Sequence, residues 1–391
     1  MKGNKGKKRY EPLSEEEVVH LLQEAQTKKQ TVIPTGNGSK RGFGGVTEDA
    51  DIELSLKNMN RILEHSAGDM TVTVQPGANF QDVQDQLAEY KQMIPIDPYR
   101  PADATIGGVI ASNDSGPKRA LYGSARDHVI GLRVAHPSGE VLRSGGKVVK
   151  NVAGYDMNKL FIGSMGTLGV MTECTFKLRP IPKFTALCVV TFSDPDALRP
   201  FLVELLNSYM EPVTLEVVNL RDVVITFEDV EEAVHAQIEW VNTHVPNSAT
   251  VDTRTGTDVH TYWRSFNDLS FTHNDPIILK VGTKNMHVLD VLQNCKRLTD
   301  VDVYAHGGVA HGLSRIYLSG DTADVIRAIQ NVRTHAEQIG GHATIVDAPL
   351  DVRKTVAPWG EPPAYMRLLE GIKHQLDPDT ILSPTRVVGG M

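Results

Sequence analysis

Four stretches of this chain are rich in Gly, Ser and Thr, and one pairs histidines with an arginine. Pro34-Thr35-Gly36-Asn37-Gly38-Ser39 follows an apolar strand pattern. Glycine lets successive backbone N–H groups converge on an anion, so a loop of this kind suits phosphate. Three further stretches follow: Pro101 to Gly108, Asn151 to Asp156 and Gly163 to Gly169. A long ligand held by loops from several strands needs such repeated close backbone approaches. Taken alone, the first loop reads equally well as a tight turn between strands.

The two common nucleotide motifs fail. No segment supplies G-x-x-x-x-G-K-[ST], and Arg41 stands where the third Gly of G-x-G-x-x-G belongs. The stretch stays Gly-rich through Gly42, Gly44 and Gly45 instead of opening a helix.

The second chemical constellation is His306-Gly307-Gly308-Val309-Ala310-His311-Gly312, with Arg315 three residues on. Histidine titrates near neutral pH and serves as a general base. An arginine fork fixes a carboxylate. The two histidines also read as metal ligands or as parts of a structural loop. Their spacing is not the i, i+4 of one helix face, and no acid lies within the segment. The expectation is no metal, with His306, His311 and Arg315 as catalytic candidates.

Elements that would position these groups follow from pattern. Ser14 with Glu17 suggests a capping box, and Val18, Leu21, Leu22 and Ala25 follow at helical spacing, so a helix is predicted over 14–28. Strands are predicted at 31–33, ended by Pro34, at 52–56 and at 70–74. Asn79 caps a helix through Phe80, Val83 and Leu87. Residues 95–123 read as a long functional loop. A hairpin is predicted at 129–144, then an alternating strand from Val170 to Leu178. Pro180 and Pro182 mark a domain boundary. Beyond them, alternating strand and helix patterns form two similar halves that suit an antiparallel sheet backed by helices. His342 is read as a polar core residue at a strand start.

The bulk numbers agree. With 391 residues the chain exceeds one ordinary core. Its 40% hydrophobic and 23% charged content is that of a globular protein. A net charge of −8 excludes a protein built to coat nucleic acid. Three scattered cysteines without Cys-x-x-Cys offer no thiolate cluster. No apolar run is long enough to span a membrane. Cytoplasmic residence is the expectation.

The wording of the loops is more specific than any one glycine motif. Pro101-Ala102-Asp103-Ala104-Thr105-Ile106-Gly107-Gly108, with Ala111-Ser112-Asn113-Asp114-Ser115-Gly116, resembles the second FAD loop of the vanillyl-alcohol oxidase / p-cresol methylhydroxylase superfamily. Lys150-Asn151-Val152-Ala153-Gly154-Tyr155-Asp156, Leu160 and Gly163-Ser164-Met165-Gly166-Thr167-Leu168-Gly169-Val170 resemble the small FAD-binding subunit of glycolate-oxidase-type enzymes. So do Gly341-His342-Ala343-Thr344, Asp377-Pro378 and Ser383-Pro384-Thr385-Arg386.

The resemblance implies an α+β protein. A flexible basic tail (1–12) precedes a two-subdomain FAD-binding domain of the PCMH type (13–182). An α/β cap domain with an antiparallel sheet backed by helices (183–375) follows, and a C-terminal segment (376–391) returns toward the FAD domain. Pro34, Thr35, Gly36, Asn37, Gly38 and Ser39 would form the pyrophosphate loop. Pro101, Thr105, Ile106, Gly107 and Gly108 would pass beside diphosphate and flavin, and Ser112, Asn113 and Gly116 would line the next loop. Gly154, Tyr155 and Asp156 would lie near the cofactor, and Gly163, Gly166, Thr167, Gly169 and Val170 around its ribityl and adenosine end. Tyr155 as a packing residue and Asp156 as a helix cap are the alternatives. Residues 34–45 hold no His, so the FAD is expected to be non-covalent.

The implied role is a glycolate-oxidase-type subunit acting on a small 2-hydroxy acid, beside a larger FAD-containing catalytic subunit and an iron–sulfur subunit. No nucleic acid and no direct membrane span belong to it. The His segment departs from the acid-containing metal motif of the related catalytic subunits. A self-sufficient D-lactate-like dehydrogenase and a non-catalytic flavin-binding or electron-relay subunit therefore remain open.

Overall fold

This computed structural model describes residues 7–47, 50–146, 155–267 and 276–391. The chain divides into two compact units, one of residues 1–116, 123–181 and 357–391, the other of residues 117–122 and 182–356.

The first unit opens with β1 (Lys8–Tyr10), which pairs in parallel with β3 (Ile52–Ser55). The tail expected over 1–12 is thus a strand from Lys8, held by Arg9 ion pairs to Glu11 at 2.8 Å and Glu53 at 3.6 Å. α1 (Glu15–Lys28) starts where the Ser14 hydroxyl accepts the Glu17 N–H, and buries Val18, Leu21, Leu22 and Ala25. β2 (Val32–Thr35) also pairs in parallel with β3. Pro34 lies inside β2 rather than ending it. β2 is the outer strand of this three-stranded sheet, where a missing N–H is tolerated.

An antiparallel sheet in the order β4-β5-β9-β7-β8 forms the other half of this unit. Its strands are β4 (Ile62–Ser66), β5 (Thr71–Val74), β7 (Val129–Ala135), β8 (Val141–Gly145) and β9 (Val170–Lys177). α2 (Phe80–Ala88) is capped by Asn79 and leads to β6 (Gln92–Met93), which pairs with β10 (Arg179–Pro180).

The long loop expected over 95–123 contains two helices, α3 (Ile106–Ser112) and α4 (Arg119–Tyr122). Thr105 caps α3 by accepting the Gly108 N–H at 3.3 Å. Ile106, Val109 and Ile110 recur at i, i+3 and i+4 and are fully buried. Two glycines in the first turn and a Pro/Asp-rich flank disguise this helix as loop in the sequence. α5 (Ala125–His128) and α6 (Asn158–Phe161) are single turns beside the sheet.

The second unit holds one eight-stranded sheet whose strand pairs are all antiparallel. Its first half runs β11 (Phe184–Phe192), α7 (Leu198–Asn207), β12 (Thr214–Val218), β13 (Asp222–Asp229), α8 (Glu231–His244), β14 (Ala249–Thr255). After α9 (Thr257–Asn267) the second half repeats the pattern. It runs β15 (Ile277–Gly282), α10 (Val288–Cys295), β16 (Asp302–Gly308), β17 (Leu313–Ser319), α11 (Thr322–Gln338), β18 (His342–Asp347). The order β14-β11-β13-β12-β16-β17-β15-β18 is two βαββαβ halves joined through β12 and β16.

α7, α8, α10 and α11 bury their apolar stripes on one face of this sheet. α9 packs Val259 and Phe266 against Leu187, Val218 and Val224 on the other. β14 and α9 escape the sequence pattern because β14 is an edge strand with polar Thr250, Asp252 and Arg254. α4 belongs to this unit: Lys118 and Tyr122 both donate to the buried Glu228 carboxylate at 2.6 Å. His342 begins β18 but is exposed, so it is no core histidine.

The C-terminal segment closes the first unit. Val32 N–H donates to the Ile381 carbonyl at 2.8 Å, and Ser383 N–H to the Val32 carbonyl at 2.9 Å. Within α12 (Met366–Leu376), Lys373 is buried; its ammonium donates to Asp377 at 2.6 Å, to the Thr167 carbonyl at 2.7 Å and to the Leu382 carbonyl at 3.0 Å. Asp377 in turn accepts the N–H groups of Ile381 and Leu382. Removing one partner of a buried pair strands the other charge and costs about 3–5 kcal/mol. Lys373→Met is expected to lower unfolding stability in urea by about that amount, whereas Lys373→Met with Asp377→Asn loses less than the sum of the single changes.

Candidate functional site

The first unit contains an open cleft of about 1020 Å³, its solvent-facing part included. Its walls are residues 33–41, the start of α3, the stretch from Met165 to Met171, and Ser383 with Arg386. β2 delivers the first wall. Beyond Thr35 the chain leaves the sheet, and the N–H groups of Gly36, Asn37, Gly38, Ser39 and Lys40 donate to no protein acceptor among the described residues. In this half-exposed loop the five successive amides are open to water or to an anionic ligand. Gly38 sits at φ 78°, in the left-handed region that bends such a run into a concave nest.

Two close approaches fix this loop. A Cβ on Gly36 would stand 2.1 Å from Thr105 Oγ1, and one on Gly166, at φ 72°, would stand 2.8 Å from Pro34 Cγ. The glycines therefore let the loops pack on each other. Arg386 completes the grip by donating to the Lys40 carbonyl at 2.6 Å and the Arg41 carbonyl at 3.3 Å. The Lys40 and Arg41 carbonyls are thus held from the C-terminal side, which fixes this end of the loop.

Lys7, Lys40, Arg41 and Arg386 make the cleft cationic, partly balanced by ion pairs of Lys40 with Asp114 and of Arg41 with Glu53 at 2.8 Å. Burial pushes the Glu53 carboxyl up, but Arg41, Lys7 and Arg9 outweigh it and hold the group below its ordinary range.

Of the residues singled out from the sequence, Pro34, Thr35, Gly36, Asn37, Gly38, Ser39, Thr105, Gly107, Gly108, Ser112, Gly166, Gly169 and Val170 line this cleft. Others do not. Ile106 faces the core, Gly116 packs on Asp97, and the Thr167 hydroxyl is spent on the Ser164 carbonyl. Pro101, Asn113 and Gly163 also lie outside the lining. Tyr155 is 94% exposed and Asp156 pairs with Lys159 at 3.2 Å, so neither reaches the cleft. Gly154 lies outside the described residues. Sequence reasoning missed Lys40, Arg41 and Met165; for Ser383 and Arg386 the Ser-Pro-x-Arg wording was the signal.

The second unit gathers a different constellation on the sheet face that carries α9. His306 on β16 is buried, and its Nδ1 lies 2.8 Å from Glu216 Oε2 on β12. His311 Nε2 lies 3.2 Å from the other oxygen of Glu216, while His311 Nδ1 accepts the Leu313 N–H at 3.2 Å. Burial pushes the Glu216 carboxyl up, yet the hydrogen bonds and charge of the two histidines prevail and keep it below its ordinary value. Arg315 on β17 is the direct cross-strand neighbour of His306, so the two side chains share a face. Phe266 stands edge-on to His306 with ring centres 4.6 Å apart. Trp263 donates to Thr226 and belongs to the same packing. Among the described residues no group of three or more ligating side chains could hold a metal ion. The acid absent from the histidine segment is Glu216, about 90 residues upstream, which no local motif reveals.

Residues 8–145 match the FAD binding domain family. Over 205 residues the chain is 35% identical to glycolate oxidase subunit GlcD of Bacillus subtilis, covering 52% of this chain and 44% of that one. It is 35% identical over 181 residues to the mitochondrial cytochrome-type D-lactate dehydrogenase of Arabidopsis thaliana (46% and 32%). It is 37% identical over 171 residues to D-2-hydroxyglutarate dehydrogenase of Xanthomonas citri (44% and 36%). The matched stretch spans less than half the length of each of these relatives. Among solved structures, p-cresol methylhydroxylase superposes with a TM-score of 0.76 at 17% identity, over 97% of this chain and 88% of that one. 4-Ethylphenol oxidase from Gulosibacter chungangensis gives 0.73 at 17% identity, with the same coverage. The chain thus has the PCMH-type fold, and residues 8–145 form an FAD-binding domain.

Proposed function

We propose that this chain holds FAD non-covalently and is the FAD-binding subunit of a glycolate-oxidase-type complex that oxidises a small 2-hydroxy acid. The observation that carries the cofactor site is the run of five amides, unpaired among the described residues, at the cationic cleft. Gly36 to Lys40 would receive the pyrophosphate, Arg386 would keep the loop in register, and Gly107, Gly108, Ser112, Gly166 and Val170 would flank the rest of the molecule. When bound, FAD supplies a hydride acceptor for the carbinol carbon.

Such an oxidation also needs a base for the hydroxyl proton and a cation for the carboxylate. His306 and Arg315, neighbours on one sheet face, suit these roles. His311, tied to Glu216 and to Leu313, suits a bracing role. The relatives named for glycolate, D-lactate and D-2-hydroxyglutarate support the substrate class. A larger flavoprotein subunit and an iron–sulfur subunit would complete the complex in the cytoplasm. Among the described residues no helix is long and apolar enough to cross a membrane. The second reading, a dehydrogenase that turns over alone, is favoured by the intact His306–Arg315 pair and separates from the first by whether the purified chain reduces a dye with glycolate or D-lactate.

Three outcomes are expected. Acid precipitation of the purified, FAD-loaded chain should release the yellow colour to the supernatant; colour retained in the pellet would contradict a non-covalent site. Gly166→Val forces a side chain into Pro34 at a left-handed residue, a strain of about 1–3 kcal/mol. FAD should then bind roughly 5- to 150-fold more weakly by fluorescence titration. His306→Gln should leave FAD content unchanged and slow flavin reduction by the 2-hydroxy acid about 10²–10⁴-fold, read by stopped-flow absorbance.

A further inference from the structure

We propose that Glu216 is a positioning residue that fixes the ring and the tautomer of His306, so that His306 keeps its proton on Nδ1 and its lone pair on Nε2. The inference deepens the reading of His306 as the base of a 2-hydroxy-acid oxidation and rests on that reading for its chemical purpose.

The hydrogen bonds assign the protons. His311 Nδ1 accepts the Leu313 N–H, so in the neutral ring the proton of His311 sits on Nε2, which points at Glu216 Oε1. A carboxylate only accepts, so the contact of His306 Nδ1 with Oε2 at 2.8 Å places a proton on Nδ1. Each oxygen of Glu216 thus takes one imidazole N–H. The carboxylate is 1% exposed and sits on β12, next to β16 in the sheet, so the pair cannot drift apart without breaking the β12–β16 ladder. A Cβ on Gly308 would lie 2.6 Å from Glu216 Oε1 and 2.1 Å from His311 Nε2, so this glycine, two residues after His306, leaves the space in which Glu216 and His311 meet.

A buried anion against Nδ1 does two things to His306. It orients the ring, and it stabilises the imidazolium that forms when Nε2 takes a proton. Around His306, Arg315 and Tyr317 stand on β17, Tyr304 on β16 itself and Phe266 on α9, and Lys280 follows Arg315 in the next strand of the same row. Arg315 opposes a second positive charge in this row and Glu216 favours it.

The test is long-range ¹H–¹⁵N NMR of the FAD-loaded chain labelled at histidine, with His306→Gln used to assign the His306 signals. The wild-type spectrum should show the Nδ1–H tautomer. Glu216→Gln removes one of the two acceptor oxygens, so the amide cannot accept from both imidazoles, and the Nδ1–H signature of His306 should be lost or split between tautomers. Flavin reduction by glycolate or D-lactate should slow in the same variant, and Glu216→Asp should restore most of the Nδ1–H signature. A wild-type Nε2–H tautomer, or an unchanged tautomer in Glu216→Gln, would overturn the proposal. If the tautomer and its loss are found but no 2-hydroxy acid reduces the flavin, the positioning role stands and the functional reading fails.

Discussion

Five consecutive backbone N–H groups that no described residue satisfies are the constraint on which the first unit turns. The loop is half-exposed, so water can serve these amides until an anion replaces it, and its surroundings fix its shape. The surroundings do this from three sides. Arg386 takes the carbonyls of Lys40 and Arg41, Thr105 fills the place of a Cβ on Gly36, and Pro34 fills that of a Cβ on Gly166. Lys373 extends the same logic below the surface by linking the Thr167 carbonyl to Asp377 and Leu382. The C-terminal residues are thus structural parts of a site whose primary loop lies some 345 residues earlier.

The second unit meets a different requirement. A buried carboxylate is tolerable only when paired and hydrogen-bonded, and Glu216 has two histidines for this purpose. The sheet makes the pairing possible, because β12 and β16 are the strands through which the two βαββαβ halves join. His306, Arg315 and Lys280 then fall in one cross-strand row, set by register and not by proximity in sequence.

What the sequence revealed follows from the range of the interaction concerned. Local signals were legible: the Ser14 and Asn79 caps, the hairpin turn after His136, the helix stripes and the wording of the glycine loops. Helix α3 was not, because Gly107 and Gly108 read as loop while Thr105 and a short apolar face, visible only on packing, hold it helical. Polar edge strand β14 lacked the alternation that marks a half-buried strand. Ile106 and Thr167 sit in motifs that touch the cleft but turn inward themselves. The long-range partners Glu216 and Lys373 carry no local signature, since strand register and helix docking create their roles.

The central claim concerns the loop from Gly36 to Lys40, and residue-resolved amide NMR during an FAD titration tests it most directly. The account predicts that the N–H resonances of Gly36, Asn37, Gly38, Ser39 and Lys40 move together and downfield as pyrophosphate accepts them, ahead of amides already paired in β2 and α3. Those five resonances remaining in place while FAD saturates the protein would contradict it.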